Sequence, residues 1–250
     1  MKIVLSIFLI LQSFAATAQE KIDPAKLLHE AELKRMPWAQ MSLYAMLSDS
    51  SGKEPKVTTY HVFLDVDKAL VICNGPATQK GNLLLLQKQE LWYYMKATSR
   101  PMKITPLQKL SGAVSFVDIT RLNWSEDFLV DSFETIKSYS GKSDAWLIHL
   151  KPLSDDVSYR KINLWIDAKS RRPLRADIYL TSGKLYKTVL FTKYETMMGK
   201  EVNTQMEFID HFNNDRHSVI TFSGLKQEKN IPQDYFIRDK MPDISKAMLN

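Results

Sequence analysis

From Met41 onward, apolar and polar residues change places every second position, and a chain patterned this way can bury one face only by pairing strands edge to edge. Met41–Leu47 and Val57–Leu64 are the first two strands expected, with the polar run Ser48–Pro55 turning the chain between them. Ala69–Cys73, Leu83–Leu86 and Leu91–Met95 continue the series. The alternation is cleanest where Ile162, Leu164 and Ile166 interleave with Lys161, Asn163, Trp165 and Asp167. Leu174, Ala176, Ile178 and Leu180 repeat it, and Lys184–Tyr194, Asn203–Ile209 and Ser218–Phe222 follow at similar spacing. Asp167–Arg172 and Thr181–Lys184 are short turns between neighbours, which calls for an antiparallel meander. Ahead of the strands, Asp23-Pro24 with Ala25, Leu27, Leu28, Ala31 and Leu33 predicts one amphipathic helix. Asp23 is its N-cap, and Pro24 takes the first position, where its missing N–H is of no consequence.

Between Met102 and Trp124 the strand rhythm fails. Leu107, Leu110, Val114 and Val117 have rough helical spacing, and Gly112 permits a bend among them. Leu83–Leu86 and Leu91–Met95 are apolar or aromatic on both sides, so the sheet they belong to is covered twice or faces something greasy. A filled sandwich core beneath a helix and a concave sheet whose lid closes an apolar cavity both satisfy that pattern.

Met1-Lys2, the apolar run Ile3–Phe14 and the small residues Ala16-Thr17-Ala18 read as a secretory signal over residues 1–18, with a mature domain from Gln19 to Asn250. The run is about a dozen residues, short of the roughly 20 that span a bilayer. The chain is accordingly expected to be soluble in an exported compartment. Its charge of +6 (34 Lys and Arg against 28 Asp and Glu) becomes +5 without Lys2, and its dispersal argues against a nucleic-acid partner. The tightest basic cluster, Lys169-Ser170-Arg171-Arg172, falls at an expected hairpin turn.

One cysteine, Cys73, excludes an internal disulfide and a cysteine-rich metal site, and eight glycines form no phosphate-cradling motif. His29, His61, His149, His211 and His217 have no metalloprotease spacing, and Asp210-His211 with His217 makes at most a loose metal site. Ser50-Ser51-Gly52-Lys53 matches S-x-x-K inside an expected turn, without its companion motifs. No catalytic residue, metal or cofactor is expected.

In order along the chain stand Lys80-Gly81-Asn82-Leu83-Leu84, Trp92-Tyr93-Tyr94, Leu110-Ser111-Gly112 with Phe116–Leu122, and Leu164-Trp165-Ile166-Asp167 with Arg172-Pro173-Leu174. Gly199-Lys200 with Thr204–Phe208 and Ile231-Pro232-Gln233-Asp234-Tyr235-Phe236 follow. Together these resemble the outer-membrane lipoprotein-sorting family, the relatives of the periplasmic lipoprotein carrier. The lid departs from the family's frequent Met-x-Gly-Ser-Asp-Phe, reading Leu110-Ser111-Gly112-Ala113-Val114-Ser115-Phe116. The resemblance implies a mainly β (α+β) fold: one antiparallel sheet curled into an open half-barrel, with an N-terminal helix and a helical lid. It implies a monomeric periplasmic carrier for lipoprotein acyl chains or another lipid, passed from an inner-membrane transporter to an outer-membrane acceptor. A buried arginine serves lid closure in the carrier itself; none here is matched to it. For the lid, Leu107, Leu110, Val114, Phe116 and Ile119 are the candidates. For the cavity wall they are Leu43, Phe63, Leu85, Trp92, Tyr94, Ile162, Leu164, Ile166, Ile178 and Met206. The other reading is a non-catalytic β-sheet module that docks onto an envelope or transporter complex with its core filled.

Overall fold

The computed structural model describes residues 22–248 except positions 51, 53, 88, 89, 106, 121, 122, 156, 158, 214 and 215. The expected signal segment, Ser51 and Lys53 of the S-x-x-K match, and Leu122 lie outside the described residues.

Helix α1 (Pro24–Leu33) starts where expected, with the Asp23 carboxylate accepting the N–H groups of Ala25 and Lys26 at 2.9 and 3.4 Å. The strands that follow are β1 (Gln40–Asp49), β2 (Lys56–Asp65), β3 (Lys68–Gly75), β4 (Leu83–Gln87), β5 (Glu90–Met95) and β6 (Arg100–Ile104). After a small hairpin, β7 (Lys109–Ser111) and β8 (Val114–Ser115), come two short helices, α2 (Phe116–Thr120) and α3 (Trp124–Asp127). The second series is β9 (Phe128–Ile136), β10 (Ala145–Pro152), β11 (Lys161–Asp167), β12 (Pro173–Tyr179), β13 (Leu185–Met197), β14 (Lys200–Asp210) and β15 (Arg216–Gln227). Helix α4 (Met241–Ala247) closes the chain.

Among the described residues thirteen strands form one antiparallel sheet in the order β6-β5-β4-β3-β2-β1-β15-β14-β13-β12-β11-β10-β9. The chain enters in the middle at β1, meanders out to one edge, and crosses to the opposite edge. It then meanders back until β15 pairs with β1. The edges β6 and β9 do not pair with each other, so the sheet stays open. Register shifts at Ser42/Tyr44, Ile178/Tyr179 and Phe191/Lys193 add the extra residues that bend strands and increase twist.

The two faces carry separate cores. The inner one collects Leu43, Ala45 and Leu47 of β1, Val62 and Leu64 of β2, Leu84 and Leu86 of β4, and alternate apolar positions of β10 to β15 such as Ile148, Leu164, Ile178, Val189, Phe208 and Ile220. On the outer face Leu70, Ile72, Leu83, Leu85 and Tyr94 pack beneath Ile231, Phe236, Met241 and Ile244. The Ser245 hydroxyl fastens that C-terminal segment by donating to the Gly81 carbonyl at 2.7 Å. This explains the run Leu83–Leu86: alternate leucines point to opposite faces, and each face is covered.

Helix α1 is tied to the second half of the sheet through Glu201, which accepts from Lys34 at 3.1 Å and from the Arg172 guanidinium. The Arg172 hydrogen bond foremost, then Lys34, holds this carboxyl down to about 2 from its ordinary 4.5. A folded-state value below the unfolded one adds stability at pH above about 4.5, and that increment is lost as pH falls towards 2. Glu201→Gln is therefore expected to be less stable than wild type at pH 7, with the difference shrinking as pH falls from 4.5 to 2. Urea unfolding at pH 7, 4.5 and 3 measures this.

Candidate functional site

Because β6 and β9 are opposite edges, the segment joining them must cross a face of the sheet. Residues 105–127 cross the inner one. Their apolar side chains point into it: Val114, Phe116, Val117, Ile119 and Trp124 are all buried. Leu107 and Leu110 are half-buried against the same core. Where helical spacing over Leu107–Val117 led us to expect one bent helix, the structure has the β7–β8 hairpin followed by two short helices. Gly112 makes the difference. It sits at φ +59°, in the left-handed region, and an added Cβ would come within 2.1 Å of Ser218 Oγ and 2.8 Å of the Asp49 carboxylate. The lid thus enters the sheet tip-first at a point only glycine fits. Gly112→Ala is expected to displace the tip, combining backbone strain of about 1–3 kcal/mol with the clash. Faster proteolytic cutting at residues 105–115 in the folded protein reports it.

Two polar anchors hold the lid. At the tip, the Ala113 N–H donates to Ser218 Oγ at 2.9 Å and Ser111 Oγ reaches Asp49 at 3.5 Å. Asp49 is itself gripped by Arg216 through Nε and Nη2 at 3.1 and 2.5 Å. Behind the tip, Asp118 of α2 accepts from Lys187 Nζ at 2.6 Å, Tyr159 Oη at 2.7 Å and its own lid's Ser115 N–H at 2.7 Å. Lys187 also donates to Ser115 Oγ at 3.0 Å. Its ammonium is fully buried, with the rings of Tyr186 and Tyr159 at 4.8 and 5.6 Å. Burial, and then the Asp118 charge, push the Tyr159 hydroxyl far above its usual range.

A third anchor comes from the residues just past α1. The Arg35 guanidinium lies 4.3 Å over the Trp124 ring of α3 and 5.5 Å from the Phe191 ring of β13. Burial lowers its pKa to about 10, so it stays charged at neutral pH. Its Nε and Nη1 have no hydrogen-bond partner among the described residues. One turn earlier, Glu32 accepts from the Ser125 hydroxyl and N–H, and burial raises its carboxyl pKa.

With the lid seated, little space is left. A void of about 40 Å³ is bounded by Arg35, Asp118, Trp124, Tyr159, Ile178 and Phe208, among others. Across Ile119 a second, of about 30 Å³, touches Arg35, Leu43, Met206 and Phe222. A cleft of about 270 Å³ opens between the hairpin and β2–β5, beside Tyr60, Cys73, Tyr93, Leu110 and Phe116.

Of the ten residues expected in the wall, Leu43, Ile162, Leu164, Ile166, Ile178 and Met206 share the inner core. Phe63, Leu85, Trp92 and Tyr94 do not join them. They lie on the outer face with the C-terminal segment, Phe63 against Tyr235 at 5.0 Å and Trp92 beneath Arg238 at 5.0 Å. Strand parity is the reason, since a shift of one residue exchanges the faces. The inward neighbours are Leu84, Leu86 and Tyr93, the last 5.6 Å from Phe116 of the lid. Asp118, Lys187, Tyr159, Arg35 and Trp124 were not foreseen. The one local signal was an acid enclosed by apolar residues, Val117-Asp118-Ile119. Among the described residues no three His, Cys, Asp or Glu side chains gather as a metal site requires, and no helix is long and apolar enough to cross a membrane.

A protein-family model described as "Uncharacterized protein" matches residues 65–243. No curated protein matches the sequence. Among solved structures, the fold is that of a LolA superfamily protein from Nitrosomonas europaea, at a TM-score of 0.79 and 24% identity over 88% of this chain and 99% of that one. A domain from Vibrio parahaemolyticus named for outer membrane lipoprotein sorting superposes at 0.72 and 19% identity, over 87% and 97%. A DUF1329 family protein from Desulfovibrio piger gives the same 0.72 and 19%, over 88% and 100%.

Proposed function

The chain belongs to the family of uncharacterized proteins whose model spans residues 65–243, and for it we propose the role of a carrier that shelters the acyl chains of a lipid or lipoprotein inside its sheet and changes no bond. The observation that carries this is the way the lid fills the interior. Its buried side chains leave voids of about 40 and 30 Å³ and a flanking cleft of about 270 Å³, all below the roughly 300–1,000 Å³ of ligand pockets. Cargo therefore enters only as the lid leaves, and the lid competes with cargo for one apolar surface. A 16-carbon chain is worth roughly 12 kcal/mol of gross transfer energy at about 0.8 kcal/mol per CH₂. A carrier must match most of that and still release its load, and a self-plug with closed and open states a few kcal/mol apart does both.

The place of work is the periplasm, after removal of residues 1–18 near Ala18/Gln19. The protein acts there as a monomer between an inner-membrane transporter and an outer-membrane acceptor. Likeness of fold to a domain named for lipoprotein sorting supports this setting.

Native mass spectrometry of the mature protein isolated from its own envelope tests the role, and bound lipid or lipoprotein is expected. Making Leu110 and Phe116 polar should raise uptake of a neutral hydrophobic dye. Consistent absence of lipid together with unchanged dye uptake would contradict the carrier and favour the filled docking module.

A further inference from the structure

Resting on the carrier reading, we infer that a cleft between α1 and the lid receives an arginine side chain presented by a partner protein, and that its arrival loosens the lid. The cleft holds about 220 Å³. Leu33, Met36 and Trp38, in and after α1, and Val66 of the β2–β3 turn give it apolar walls, while Asn123, Ser125 and Glu126 bound it from the lid segment. Leu33 and Val66 are 41% and 59% exposed, so a partner reaches them without any opening of the fold. Glu32 lines the same cleft. Its Oε2 accepts the hydroxyl and the N–H of Ser125, the latter at 3.4 Å, whereas Oε1 is buried with no hydrogen-bond partner among the described residues. The residue is only 7% exposed, so this oxygen has lost water without gaining a donor, a cost that an arriving N–H removes.

The permanent charges on the cleft are of one sign. Glu126 is its second carboxylate, and Asp67 is exposed next to Val66. Among the described residues no lysine or arginine lines it, on a chain of net charge +6. The cations nearby are turned elsewhere: Arg35 acts on Glu32 by charge but lies over Trp124, Lys200 donates to the Pro37 carbonyl at 2.6 Å, and Lys34 pairs with Glu201. His29 Nδ1 stands 3.9 Å from Glu32 Oε2 on an exposed side chain. Apolar walls beside a carboxylate suit a long cationic side chain, its stem on Leu33, Met36 and Val66 and its head at Glu32. Arginine suits it better than lysine, because the planar fork donates to two carboxylates at once, and arginine is enriched among the anchors of protein interfaces. A phospholipid ammonium carries a phosphate beside it, which two carboxylates repel and no lining cation receives. The occupant competes with Ser125 for Glu32 and presses between α1 and α3, so contact with the partner reaches the segment that plugs the interior.

The test uses isotope-labelled mature protein and the peptide N-acetyl-leucyl-arginine amide, with the citrulline peptide as its neutral isostere. The arginine peptide should shift the amide resonances of residues 32–36, 66 and 123–126 in a saturable way. The citrulline peptide should bind at least about tenfold more weakly, the equivalent of about 1.4 kcal/mol. Glu32→Gln keeps an acceptor for Ser125 and should bring the two peptides to equal affinity. Glu126→Gln, at an exposed position, should narrow the gap and serves in its place should that variant fail to fold. Amide exchange across β7, β8 and α2, and uptake of the neutral dye Nile red, should rise with the arginine peptide and not with the citrulline one. Equal binding of both peptides, a gap that survives Glu32→Gln, or saturation with unchanged lid exchange overturns the proposal. Dihexanoylphosphatidylethanolamine binding as tightly as the arginine peptide overturns the protein partner in favour of a lipid headgroup. None of these outcomes reads lipid capture, so the carrier itself stands or falls on the mass spectrometry of bound material.

Discussion

Changing Asp118 to leucine is expected to lower the unfolding free energy by about 3–5 kcal/mol, the range for removing one partner of a buried ion pair. Both members are almost wholly buried, with side-chain exposures of 1% for Lys187 and 3% for Asp118. The variant would hold an ammonium among the rings of Tyr159, Tyr186 and Phe208 with its carboxylate partner removed. At roughly 2–4 °C per kcal/mol for a domain of this size, the melting temperature should fall by on the order of 10 °C. The double variant Lys187→Met/Asp118→Leu removes both charges and should regain most of the loss, since apolar replacements of whole buried pairs are often neutral or better. Thermal unfolding of wild type, both single variants and the double gives the coupling directly. Single variants no worse than the double would show that the pair does not hold the lid.

Trp124→Ala acts on the same equilibrium from the Arg35 anchor. Phe or Trp to Ala in a core costs about 3–5 kcal/mol. Here the ring packs edge-on to Phe191 at 5.8 Å and receives Arg35 at 4.3 Å. Helix α3 lies within the crossing segment, so the loss falls first on lid closure and only then on the sheet. With closed and open states a few kcal/mol apart, a change of that size makes the open form the majority. Amide hydrogen exchange should speed up across β7, β8 and α2 while β1 to β3 keep their protection. Uniform acceleration over the whole chain would mean that the lid does not move as a unit.

The meander was legible because alternation is a property of each strand alone. Ile162–Asp167 and Leu174–Leu180 needed no knowledge of their neighbours. Strand β9 was not, since Phe128–Ile136 is an edge strand exposed at most positions and carries no alternating apolar signal. Nor was β10, where Ala145 to Ile148 are buried without a break and no polar face marks the period. Facing could not be read for Phe63 or Leu85 because the C-terminal segment buries the outer face as thoroughly as the lid buries the inner one. The lid's position was visible as a break in rhythm, but its shape turned on Gly112 meeting Asp49 and Ser218, residues more than sixty positions away in each direction. The Asp118–Lys187 pair was hidden for the same reason. Lys187 sits in an ordinary strand alternation, and only the sheet-crossing connection brings an acid onto it.

The central claim is that the lid must leave before cargo enters, and a reversible staple between lid and sheet tests it most directly. Ala113 and Ser218 already meet, backbone N–H to hydroxyl, at 2.9 Å. Both would be changed to cysteine, with the buried Cys73 replaced by alanine so that no third thiol interferes. Nile red and lipid uptake would be measured on the oxidised protein and again after reduction. Uptake absent when the staple is closed and restored to the level of the Cys73→Ala protein when it is reduced is the expected result. Equal uptake in both states would contradict the account, because cargo would then be binding somewhere the lid does not cover.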